Sequence, residues 1–154
     1  MGVGATYSER LSAPLGTWLA VYAVTLGVVP IVLVVLPPAG VVLVTLAAYA
    51  AVTLALRRWE PTVAVNDGEL RAGPAHIPVR LLGEPVALDA AAAATARGTG
   101  YDPKAHHLIR PWMRTAVLVP VNDPADPTTA WYVATRHPAD LAQAVRTAQE
   151  RAAA

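Results

Sequence analysis

From Leu11 to Leu56 the chain carries no Asp, Glu, Lys, Arg or His. A run of that length cannot be the surface of an ordinary soluble domain, because a helix facing water needs a charged or polar face. Beyond Arg57, acidic and basic residues are spread through the remainder. The composition, 55% hydrophobic and 15% charged over 154 residues, is too apolar for a globular domain of average make-up. The excess is concentrated in the uncharged run, so the expectation is a membrane half followed by a water-soluble half.

The uncharged run is too long for one crossing and is broken by Pro37-Pro38-Ala39-Gly40. Leu15–Leu36 gives about 33 Å of helix at 1.5 Å per residue, enough for a hydrocarbon core of about 30 Å. Two prolines and a glycine then stop the helix and turn the chain. The expected organisation is an N-terminal tail over 1–12, a transmembrane hairpin over 13–58 with spans at 15–36 and 39–56, and a soluble domain over 59–154. Pro30 is expected to kink the first span. A cleaved signal peptide fits less well, because the first apolar run exceeds a signal core and a second follows at once. Small residues recur along each span (Gly16, Ala20, Ala23, Gly27; Ala47, Ala51, Ala55), a pattern that allows close approach in lipid.

Positive charge near the span ends sets orientation. Arg10 precedes the first span, Arg57 and Arg58 follow the second, and the turn between has no charge. The expected localisation is therefore the inner membrane, multi-pass, with both termini cytoplasmic. Trp18 and Trp59 are expected as interfacial anchors, with Arg57 and Arg58 reaching the headgroups.

The soluble half reads as six or seven short strands and a terminal helix. Thr62–Val65, the turn Asn66-Asp67-Gly68 and Glu69–Ala72 form a hairpin pattern. Residues 76–82 alternate around Ile77, Val79 and Leu81. Pro85–Leu88, His106–Ile109, Thr115–Val121 and Trp131–Thr135 supply further strands, and Asp89 caps a short alanine helix. Pro138 opens the last helix, 138–152, with Leu141, Ala144, Val145 and Ala148 on one face.

On VAVNDGELRAG (63–73), IPVRLL (77–82) and WYVATRHPADLAQAV (131–145), the soluble half resembles the bacterial pleckstrin-homology-like domain. That resemblance implies a bent β-barrel closed by a C-terminal helix. Through YSERL (7–11), DGELR, LIRPW, DPADPT and TRHP the whole chain resembles a family of uncharacterised actinobacterial membrane proteins, a domain of unknown function. The resemblance implies a fold and brings no activity. The expected fold class is thus a two-helix membrane hairpin plus an α+β tail, the tail a PH-like barrel closed by its last helix.

Candidate chemistry is sparse. There are no cysteines, so no disulfide, thiolate site or Cys nucleophile is available. His106 and His107 are adjacent on a strand and point to opposite faces, which keeps them from ligating one ion. Asp123 and Asp126 sit in a Pro-rich loop where Asx turns explain them. No serine lies in a nucleophile pattern, and no glycine loop precedes a helix. The expectation is no enzyme, no catalytic residue, no metal and no cofactor. A net charge of +1 argues against nucleic acid as partner.

One stretch stands apart: LIRPWMR, 108–114. Pro111 restricts it to an edge or a turn, with Trp112 capping the core. Alternatively Arg110, Trp112 and Arg114, joined by Arg80 and Arg136, form a contact for an anionic surface or a partner. The function expected is a membrane-tethered interaction module whose tail binds a protein partner or anionic headgroups. The alternatives are an accessory subunit that binds through its hairpin, as a homo-oligomer or with another membrane protein, and, more distantly, a lipid-acting enzyme.

Overall fold

A computed structural model describes residues 7–27, 29–34, 36–58 and 60–153. The chain divides into two compact units, Met1–Leu11 with Pro61–Ala154, and Ser12–Glu60. The first unit is therefore discontinuous: the apolar segment is an insertion between its first and second strands.

In that unit, β1 (Tyr7–Arg10), β2 (Thr62–Asn66), β3 (Glu69–Ala72) and β4 (Ala75–Pro78) form one antiparallel sheet in the order β1-β2-β3-β4. Asp67 and Gly68 have φ of 51° and 75°, as the two-residue turn between β2 and β3 requires when both central residues are left-handed. Residues 76–82 depart from the expected single strand. Pro78 ends β4, and Val79–Leu81 form a 3₁₀ turn in which the Val79 N–H bonds to the Gly68 carbonyl at 2.9 Å. Proline lacks the donor that would extend the ladder.

The second sheet has the order β5-β7-β8-β6, from β5 (Val86–Leu88), β6 (His106–Leu108), β7 (Ala116–Pro120) and β8 (Ala130–Ala134). β6 runs parallel to β8, and the other pairs are antiparallel. Among the helices of the described residues, numbered in chain order, α4 (Ala90–Arg97) is capped by Asp89, whose carboxylate accepts from the Ala92 N–H at 2.8 Å. The last, α5 (Pro138–Ala153), buries Leu141, Ala142, Ala144, Val145 and Ala148. These pack with Val63, Val65 and Leu70 of the first sheet and Val117, Val119 and Val133 of the second. Gln149 extends the attachment by donating to the carbonyls of Leu82 at 2.8 Å and Gly83 at 3.1 Å.

The expected fold class is corrected on two counts. Among the described residues the strands make two separate four-stranded sheets and no closed barrel. In the Ser12–Glu60 unit, the described part of Leu15–Leu36 holds α1 (Leu15–Gly27) and α2 (Val29–Leu33), and among the described residues only α3 (Pro38–Arg58) is long and apolar enough to cross a membrane. Pro30, expected to kink the first span, lies in α2. The small-residue stripe of the first half is not a close-packed seam either. A side chain added at Gly16 or Gly27 would meet nothing within 4 Å. Hydroxyl and aromatic groups join α1 to α3 instead: Tyr22 bonds Thr53 Oγ1 at 2.8 Å, and Tyr49 donates to the Tyr22 carbonyl at 3.3 Å.

β1, expected as part of a tail, is held by more than its ladder. The Glu9 side chain is 9% exposed. Its carboxylate accepts from the hydroxyls of Tyr7 and Thr135 and from the Arg136 backbone N–H at 3.1 Å. Thr135 is fully buried, and its Oγ1 in turn accepts from the His137 N–H at 3.0 Å, where α5 begins. Leu11, the next residue on that face, is fully buried in the core. Glu9→Ala leaves a buried hydroxyl and an amide without their acceptor, and each such group costs about 1–3 kcal/mol. Urea unfolding of the full chain in detergent should show a loss of that order, and Glu9→Gln, which keeps one acceptor oxygen, a smaller one.

Candidate functional site

The LIRPWMR stretch is a β-turn. The Met113 N–H bonds to the Arg110 carbonyl at 3.0 Å, with Pro111 at the second position, where its fixed φ suits the turn. Arg97, from the last turn of α4, donates to the Met113 carbonyl at 3.2 Å and ties the turn to that helix. Met113 is buried at 3% exposure, while Trp112 is half-buried and packs against the main core. The core plug expected of Trp112 is thus shared, with Met113 the deeper of the two.

Three of the five sequence candidates share one turn. Arg110 folds back to donate to the Ile109 carbonyl at 2.7 Å, and partial burial lowers its pKa from the ordinary value. Arg114 is exposed at the end of the turn. Arg136 has its guanidinium 3.7 Å from the Glu9 carboxylate and bonded to the Arg10 carbonyl, and it follows Thr135, whose N–H bonds to the carbonyl of Thr115, the residue after Arg114, at 3.2 Å. Arg80 lies on the 3₁₀ turn beside Gln149 and Ala152 of α5. Arg110, Trp112 and Arg114 therefore share the turn.

Of the membrane anchors, Trp18 sits in α1 against Tyr22, their ring centroids 5.8 Å apart. Arg57 and Arg58 occupy the last turn of α3, where cations suit the negative end of the helix. Trp59 lies outside the described residues.

The two adjacent histidines go to different surroundings. His106 lies against Trp131, centroids 4.5 Å apart, while His107 stacks on Tyr101 at 4.6 Å. The His107 Nε2–H donates to the Asp102 carbonyl at 2.8 Å, which fixes the tautomer because a carbonyl only accepts. Burial, reinforced by His107, lowers the His106 pKa from 6.5. Among the described residues no group of three or more His, Asp or Glu side chains could hold a metal.

Sequence reading missed the junction of Tyr7, Glu9, Thr135 and Arg136. A signal existed in the YSER and TRHP stretches, but nothing in the order of residues says that segments so far apart meet. Burial raises the Tyr7 pKa above its ordinary 10.0, with Glu9 adding to the effect against a lowering hydrogen bond from Thr135. The phenol therefore stays protonated and serves as a donor to Glu9.

The Trp112 indole Nε1 is buried without an acceptor. Trp112→Ala should destabilise the sheet-bearing unit by about 3 kcal/mol, the low end for a large aromatic side chain because Trp112 is only half-buried. Trp112→Phe keeps most of the packing and removes an unsatisfied donor, so it should be close to neutral. Thermal unfolding of both variants distinguishes a packing role from a binding one: a binding residue would show little stability change in either.

No curated protein and no solved structure matches this chain. Residues 6–145 match the model of a family of proteins of unknown function, DUF3093, and the chain belongs to that family.

Proposed function

We propose that this protein is a membrane-anchored interaction module, its Ser12–Glu60 unit embedded in a bilayer and its soluble unit available to a partner on one side. The observation that carries the reading is where the apolar side chains are left. In the helical unit Leu15, Leu19, Leu43, Leu46 and Leu54 are each more than half exposed. Among the described residues of the soluble unit, only Val86 and Tyr101 are large apolar side chains left exposed. An apolar surface of that extent in water marks a membrane or protein contact, and α3, uncharged until Arg57 and Arg58, has the length of a crossing.

The β1–β2 ladder adds a constraint on topology. Arg10 pairs with Thr62, so the segment between them returns to the side it left, however deep it reaches. Arg10, Arg57 and Arg58 make that side the cytoplasmic one. Because the chain has no cysteine, single substitutions report on sidedness without background. Ser8→Cys in β1 and Ala125→Cys in the 121–129 loop should both resist a membrane-impermeant maleimide in intact cells and both react after lysis. Opposite behaviour of the two sites would refute the same-side topology, and labelling of both in intact cells would invert it.

The module's contact is the 110–114 turn, where Arg114 and Arg110 offer an anionic headgroup or acidic partner about 1 kcal/mol per cation near a charged leaflet. Arg110→Glu combined with Arg114→Glu should reduce the anionic lipid that co-purifies with the full chain in mild detergent, as read by mass spectrometry. An unchanged lipid content removes the turn from the function.

A further inference from the structure

The last turns of α5 and the β2–β3 turn line a half-open cavity of about 260 Å³, walled by Val65, Asn66, Asp67, Ala148, Arg151 and Ala152. Its chemistry is of two signs. Asp67 and Arg151 are both exposed, and neither makes an ion pair among the described residues. α5 ends here at Ala153, and the last carbonyls of a helix lack intrahelical donors and carry its negative end.

We propose that this cavity binds a small zwitterion, a primary ammonium joined by a short carbon link to an anionic oxygen. The ammonium is taken by the Asp67 carboxylate and the end of α5. The anionic oxygen is taken by the Arg151 guanidinium, and the carbon skeleton lies on Val65, Ala148 and Ala152. A simple cation would face Arg151, and a simple anion would face Asp67 and the helix carbonyls. A ligand of both signs meets each with its opposite. Two sources present this chemistry, a free amino acid and the ethanolamine phosphate headgroup of a lipid. Only the second rests on the membrane reading above.

The test is amide-resolved NMR of the full chain in nanodiscs. In phosphatidylcholine discs, added L-valine is the free probe. In the other arm, discs containing phosphatidylethanolamine replace those containing phosphatidylcholine alone. Saturable shifts at Asn66–Gly68 and Ala148–Ala152 in either arm are the expected result, and the arm that produces them names the source. Asp67→Asn and Arg151→Gln should each weaken the response at least tenfold. Asparagine tolerates the left-handed backbone at 67 as aspartate does, and position 151 is exposed, so both variants should keep the fold. The proposal is overturned by an absence of shifts in both arms, by shifts elsewhere, or by binding indifferent to the two substitutions. Failure here leaves the maleimide result untouched, so the two readings fall separately.

Discussion

The pairing of β1 with β2 is the constraint on which the rest of the structure depends. Four residues ahead of the apolar segment become the edge of a sheet whose other strands all follow it. A short edge strand has little ladder to hold it. Here the side chains hold it: Glu9 gathers donors from Tyr7, Thr135 and Arg136, and Leu11 fills the core one step further along. A buried carboxylate is tolerated only where donors replace its water, so Glu9 also specifies which strand fits the edge. The start of α5 is joined to the same point through Thr135 and His137.

This discontinuity joins the fate of the two units. The sheet-bearing unit is complete only when both ends of the Ser12–Glu60 segment reach the same place. Within that segment, polar groups are satisfied locally: the Thr25 and Thr53 hydroxyls return to the carbonyls four residues back, and Tyr49 donates to Tyr22. Such economy is required wherever water is scarce. It also explains why α1 approaches α3 through aromatic and hydroxyl groups, when a glycine stripe would have suggested bare backbone contact.

The arginines illustrate how one residue type divides among roles. Arg97 fastens a turn, Arg136 lies beside a buried carboxylate, and Arg146 bonds Glu84 and the Pro85 carbonyl to steady α5. Arg114 is left exposed. A count of basic residues could not separate these uses, because each depends on which carbonyl or carboxylate the fold brings within reach.

The sequence by itself determined the local elements. The Asp-Gly turn, the Asp89 cap, the apolar face of α5 and the length of α3 follow from residues within a few positions of one another, where backbone preference and periodicity act directly. Pro78 lay inside the strand expected over 76–82, and the 3₁₀ turn that replaces its second half depended on the Val79 N–H finding the Gly68 carbonyl. Only the tertiary structure decided that β1 joins the later strands, that the sheets stay separate, and that Glu9 meets Thr135. It also decided that Arg136 reaches Glu9. The physical reason is that long-range pairing is chosen by burial and hydrogen-bond satisfaction across the whole chain, and no local pattern records which distant donor a buried carboxylate will find.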